Sequence, residues 1–498
     1  MDKTRFEHVL ARAAGILATA GFILAGCAPM DTDPVRTGSI PLESCTLTAP
    51  GLTFSQNARC ATLKVFEDPA ARSGKALDLK IAVIPAQSSS PLPDPLFLLA
   101  GGPGEAATQA FVPFVRALDR INFKRDLVLV DQRGTGENSP FRCPTAEAAA
   151  KEIDSADISA LAANLADCYR EAGVNPQQYA THIAVQDLDA VRAGLGYDQI
   201  NLLGVSYGTR AALTYLRQYP DRVRTLTLDG VVPDGWTLGS TADADSQRAL
   251  DLTFARCQSD AACQKTFPNL TDDFDQLMTS LEQKPVSVSV PDPLTGEDQT
   301  VELTRDSAAG TIRLINYNTE YTALLPWIIH RAAEGDFRPL AAQQLIVNGE
   351  LSNALDFGMY YSVICQEDVP FLPASSDDAV GYLRYDPDVP RRICADLGLE
   401  PISAEQRTAF KSNVPTLILS GEADPVTPPA NGDQAAQNLA SSKHLIVPQL
   451  GHSNMVRGCV PTILRDFLET GSVDHLDTAC IDQIKAQPFF ISPMGPQP

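Results

Sequence analysis

Residues 200–219 read Ile-Asn-Leu-Leu-Gly-Val-Ser-Tyr-Gly-Thr-Arg-Ala-Ala-Leu-Thr-Tyr-Leu-Arg-Gln-Tyr, and Pro220 follows. The apolar run Ile200–Leu203 predicts a strand buried on both faces. Leu213–Tyr219 predicts a helix, ended by the proline that cannot continue it. Between them lies Gly204-Val205-Ser206-Tyr207-Gly208, a Gly-x-Ser-x-Gly in a strand-to-helix context. So sharp a turn tolerates only small residues at 204 and 208. It lifts the Ser206 hydroxyl above the sheet edge, at the N-terminus of the next helix, where the peptide dipoles favour developing negative charge. Ser206 is therefore a candidate nucleophile.

Working outward, Pro95–Leu99 and Leu127–Val130 are short continuous apolar runs that predict buried parallel strands. Ile183–Leu195 places Val185, Leu188, Val191 and Leu195 on one helical stripe. Leu226–Leu228, Thr416–Leu419 and His444–Val447 predict further strands. Ala61–Phe66 and Leu77–Pro85 form a hairpin-like pair around a loop at Asp68–Gly74. From Asp234 to about Gln406 this rhythm stops. Helical segments (Ala242–Cys257, Asp272–Leu281, Ala323–Ala333) dominate there, with one hairpin-like pair at Val286–Val290 and Thr300–Leu303. The expected fold class is α/β, an α/β-hydrolase with a doubly wound, mostly parallel sheet and an inserted, mainly helical cap domain. The core spans 44–234 and 407–498, and the cap 235–406.

A serine hydroxyl needs a base to take its proton. Of six histidines, His452 in Leu450-Gly451-His452-Ser453-Asn454 lies just after the last predicted strand. In this fold the order is nucleophile, acid, histidine. His444 lies within a strand and reads as structural. The acid belongs after the preceding strand, in Ser420-Gly421-Glu422-Ala423-Asp424-Pro425. Asp424 is preferred because Pro425 stiffens the turn that aims it, and Glu422 is the rival. An oxyanion needs two backbone donors. Tyr207 follows the nucleophile, and Gly102 lies in the Gly101-Gly102-Pro103-Gly104 turn, where Pro103 has no N–H. Arg133 in the Asp131–Gly136 turn reads as a structural brace.

The N-terminus combines Lys3, Arg5 and Arg12 with an apolar run from Ala13 to Ala25, too short to span a membrane. It reads as a signal peptide over 1–26. The run ends in Leu24-Ala25-Gly26-Cys27, similar to a bacterial lipobox, so Cys27 is the candidate lipidation site and membrane anchor. An ordinary signal peptide with a chance cysteine is the alternative. Residues 27–43, rich in Pro, Thr, Asp and Gly, read as a tether. Ala28 after Cys27 points to the outer membrane if the host is Gram-negative. Eleven cysteines less Cys27 leave an even set, suited to five disulfides in an oxidising compartment. Sequential pairing is expected: Cys45–Cys60, Cys143–Cys168, Cys257–Cys263, Cys365–Cys394 and Cys459–Cys480. No metal-ligand spacing occurs, and no cofactor is called for. The formal charge of −22 argues against nucleic acid as a partner.

Taken together, Gly101–Gly104, Asp131-Gln132-Arg133-Gly134-Thr135-Gly136, Gly204–Thr209, Leu228-Asp229-Gly230-Val231-Val232 and Asp424-Pro425-Val426-Thr427-Pro428 resemble the prolyl aminopeptidase and tripeptidyl aminopeptidase family from about Cys45 to Cys480. The exported tripeptidyl type, with its similar C-terminal stretch, is the nearest in pattern. Ala100 departs from it where many prolyl aminopeptidases carry His. The resemblance implies a serine peptidase that cuts short peptides from a free N-terminus; a monomer is expected. It also implies that cap carboxylates read the substrate ammonium. Glu367, in a stretch similar to a family motif, is the first candidate, with Asp368 and Glu320 beside it; a surface carboxylate is the other reading of Glu367. An esterase or lactone hydrolase would share the same triad, and an inactive surface-binding lipoprotein is the alternative of another class.

Overall fold

The computed structural model describes residues 38–137, 141, 143, 158–293, 295–374 and 381–496. The signal peptide and Cys27 lie outside these residues. Nine strands form one sheet in the order β1-β2-β3-β5-β4-β6-β7-β10-β11. The hairpin side is antiparallel: β1 (Glu43–Leu47), β2 (Gln56–Phe66) and β3 (Ala76–Ile84), with β3 also antiparallel to β5 (Leu127–Val130). From β5 onward the pairing is parallel through β4 (Leu96–Leu99), β6 (Ile200–Val205), β7 (Val223–Asp229), β10 (Thr416–Gly421) and β11 (Ser442–Val447). Every residue of β4, β5 and β10 is buried, as a strand covered by helices on both faces requires.

β1 was not foreseen, and part of the expected tether is docked. Ile40 N–H donates to Gly194 O at 3.1 Å, and its side chain reaches Gly194. β1 is a mostly exposed edge strand whose Cys45 is bridged to Cys60 of β2. Cross-strand pairing and a covalent bond hold it, so no apolar alternation marks it. All five disulfides pair sequentially, as expected, and such bonds persist in an oxidising compartment.

Between β7 and β10 the chain is mainly helical, interrupted by the antiparallel hairpin β8 (Val286–Pro291) and β9 (Asp298–Leu303). This region has its own apolar cluster, in which Leu250, Leu277, Ile312, Ile329 and Leu340 are fully buried. The C-terminal tail, expected with the sheet, joins that cluster instead through Phe489, over which the Arg256 guanidinium lies at 3.9 Å. Among the described residues no helix is long and apolar enough to cross a membrane.

Candidate active site

Parallel pairing brings the C-terminal ends of β4, β6, β7, β10 and β11 to one edge, with Leu99 opposite Gly204, Val205 opposite Asp229, and Gly421 opposite Val447. The loops leaving these ends carry the expected residues. Ser206 sits between β6 and the Tyr207–Gln218 helix with φ 55° and ψ −124°, a strained conformation for a side-chain-bearing residue. Its N–H donates to Asp229 O at 2.9 Å. A Cβ on Gly204 would overlap the Gly208 carbonyl, and one on Gly208 would overlap Leu99 O. Both glycines are therefore steric requirements of the turn.

Asp424 and His452 meet as expected. The Asp424 Oδ2 lies 2.7 Å from His452 Nδ1, and both side chains are buried. Asp424 Oδ1 accepts the Val426 and Thr427 N–H groups at 2.8 and 2.9 Å, and the Thr427 hydroxyl donates to Oδ2 at 2.8 Å. Burial pushes the Asp424 carboxyl up, but the His452 ring and these donors outweigh it and hold it down to about 2. Burial pulls His452 down. The Asp424 carboxylate outweighs this, with Asp229 and Glu105 adding to it, and raises the ring above the ordinary histidine value. His452 Nε2 is buried without a hydrogen-bond partner. The rival acid Glu422 instead accepts the Gln449 N–H at 2.8 Å, and His444 is held by Asp433 and Ser420.

Ser206 and His452 both adjoin the Asp229–Gly230 backbone. Ser206 binds Asp229 O, while a Cβ on Gly230 would lie 2.8 Å from His452 Cε1. Tyr317 of the cap packs on the histidine. Its ring stacks on His452 with centroids 4.3 Å apart, and its carbonyl accepts the His452 N–H at 3.0 Å. Thr319 Oγ1 accepts the Gly451 N–H at 3.0 Å. Asp229 Oδ2 accepts the Asn454 and Met455 N–H groups at 2.7 Å each, which anchors the histidine loop. Burial raises Asp229 to about 6, less than it otherwise would because those two N–H groups and His452 favour the carboxylate. The N–H groups of Gly102 and Tyr207 have no acceptor among the described residues.

The cap carboxylates sit differently from expectation. Glu367 is buried, and its two oxygens accept the Thr181 N–H at 2.6 Å and the Thr181 hydroxyl at 2.9 Å, with Arg210 at 3.3 Å. Asp368 takes Arg210 in a two-point contact at 2.7 and 2.9 Å, and Glu320 is paired with Arg457. All three are committed to arginines. Arg133 is fully buried and braces Asp187 through two bonds and the Glu67 and Gln178 carbonyls through one each. Tyr317, Thr319 and Glu105 escaped the sequence reading. The first two lie in the cap, where no motif marks them, and Glu105 follows the glycine-rich turn without being part of it.

Residues 94–286 match the alpha/beta hydrolase fold family, and residues 386–480 match the TAP-like protein family. Serine protease Hip1 of Mycobacterium tuberculosis is 24% identical over 515 residues, covering 93% of this chain and 96% of its own. Tripeptidyl aminopeptidase of Streptomyces coelicolor is 25% identical over 73% of this chain and 71% of its own. Proline iminopeptidase of Lactobacillus delbrueckii subsp. bulgaricus is 32% identical, over 28% of this chain and 36% of its own. The chain is an α/β-hydrolase enzyme with a TAP-like C-terminal region, similar to a serine protease, a tripeptidyl aminopeptidase and a proline iminopeptidase.

Proposed function

We propose that this enzyme is a serine aminopeptidase, hydrolysing short peptides from a free N-terminus through an acyl-enzyme on Ser206. The observation that carries it is the buried Asp424–His452 pair with Nε2 unpartnered beside the Ser206 turn. Ser206 Oγ attacks the scissile carbonyl carbon while its proton passes to His452 Nε2. The resulting oxyanion is received by the N–H groups of Gly102 and Tyr207. Collapse breaks the C–N bond, and the imidazolium returns the proton to the leaving amine. Water then adds to the acyl carbon with the same base and frees Ser206. Asp424 holds the tautomer that places the proton on Nδ1 and stabilises the imidazolium. We propose that the protein is exported, acts as a monomer and is held on a membrane by lipid on Cys27. Loss of fatty-acid labelling in Cys27→Ala tests the anchor.

The test of the activity uses the domain from residue 38 onward with free-amine prolyl and tripeptidyl anilides, their N-acetyl forms and a short-chain ester. Anilide cleavage abolished by acetylation, and lost in Ser206→Ala, supports the aminopeptidase. Ester cleavage alone makes the protein an esterase with the same triad. Failure of a fluorophosphonate to label Ser206 would leave the inactive binding lipoprotein.

A further inference from the structure

We propose that Glu105 is the residue that receives the substrate's α-ammonium, so that this enzyme removes one residue per cut. The proposal rests on the aminopeptidase reading and identifies the substrate class of that same site. Of the carboxylates expected to bind an ammonium, Glu367 and Asp368 share Arg210, and Glu320 is paired with Arg457. Glu105 has no arginine or lysine partner among the described residues, and its charge acts on His452. One oxygen, Oε2, accepts the Gly101 N–H at 3.0 Å. The other has no hydrogen-bond donor among the described residues, and the residue is half-buried. The residue's backbone is pinned by a bridge to Leu355 of the cap, so the carboxylate is held at the junction of cap and sheet.

Its position sets the length of the acyl group. A Cβ built on Gly101 lies 3.1 Å from Glu105 Oε2 and 3.3 Å from Ser206 Cβ, so the carboxylate oxygen is within about 6.5 Å of the nucleophile's Cβ. In a one-residue acyl group the α-nitrogen is two bonds, about 2.5 Å, from the carbonyl carbon that Ser206 attacks. In a three-residue group the ammonium moves about 7 Å further away. Only the shorter acyl group places its charge at Glu105. Burial also raises the Glu105 carboxyl, with the Gly101 N–H opposing it. A cation bound beside it favours its ionised form.

The test compares wild type, Glu105→Gln and Glu105→Asp on four substrates, three of them anilides with one leaving group and the fourth an ester. These are a free-amine aminoacyl anilide, its N-acetyl form, a free-amine tripeptidyl anilide and an acetyl ester. Wild type is expected to cut the aminoacyl anilide faster than the tripeptidyl one. Glu105→Gln keeps an acceptor for Gly101 and is expected to raise KM for the aminoacyl anilide about 10- to 100-fold, as loss of a charged hydrogen bond does. That loss should exceed the loss on the ester at least tenfold, and Glu105→Asp should recover part of it. Equal losses on anilide and ester would make Glu105 a brace for the oxyanion turn and overturn the proposal. Faster tripeptidyl cleavage by wild type would also overturn it, while leaving the aminopeptidase reading intact. Indifference of wild type to acetylation would instead remove that reading, and Glu105's role with it.

Discussion

The sheet edge and the cap each present buried acids, and their surroundings assign them opposite tasks. Asp424 faces an imidazole and is held ionised by it and by two backbone N–H groups. Glu367 and Asp368 face Arg210, which crosses from the Tyr207–Gln218 helix to the Phe357–Glu367 helix. The first pair leaves a nitrogen free to move a proton. The second ties two carboxylates to one guanidinium that cannot give up its proton. A buried carboxylate is thus a reagent or a rivet according to whether its partner can titrate near neutral pH, and arginine cannot.

The comparison breaks most visibly at the reagent end. Ser206→Ala and His452→Ala should each lower kcat by about 10,000-fold or more, with unfolding midpoints close to wild type. A loss of only a few-fold in steady-state kinetics would mean that another nucleophile or base does the chemistry. At the rivet end, Arg210→Met should destabilise the fold by about 3–5 kcal/mol, because it strands two buried carboxylates. Urea unfolding reads this directly. If the variant keeps its stability and only KM rises, Glu367 is a substrate carboxylate after all.

Tyr317 belongs to the cap yet serves the sheet edge, so it sharpens the boundary. Tyr317→Ala removes the ring stacked on His452 and should cost about 0.5–1.5 kcal/mol of barrier, roughly a 2- to 10-fold fall in kcat/KM. Tyr317→Phe should retain the stacking share, which separates it from any part played by the hydroxyl. The smallest effect concerns pH. Protonated His452 cannot act as base, so kcat/KM should fall on the acid side with an apparent pKa above 6.5. Asp229→Asn removes one of the anions that raise His452 and should move that limb to lower pH. The linkage for stability has the opposite sense at the two groups. His452, raised on folding, contributes stability below about 6.5 that is lost as pH rises through its folded value. Asp424, depressed on folding, contributes above about 4, and this is lost as pH falls toward about 2. Unfolding free energies from pH 2 to 9 would show both slopes, and a flat profile would contradict both shifts.

The amino-acid sequence by itself determined the parts whose constraints are short-ranged. Ser206 was legible because only glycine fits at 204 and 208 beside so tight a turn. Asp424 and His452 were legible because each follows the end of an apolar run in a fixed chain order, and the disulfides because each joins neighbouring cysteines. Tertiary structure decided the rest. β1 is an edge strand defined by its partner rather than by its own pattern. Ile40 docks on a glycine more than 150 residues away. Whether Glu367, Asp368, Glu320 or Glu105 carries free charge depends on where Arg210 and Arg457 come to lie. Charge compensation acts through space between residues far apart in the chain, so no local pattern records it, whereas backbone sterics and covalent loops act between neighbours and leave their mark in the sequence.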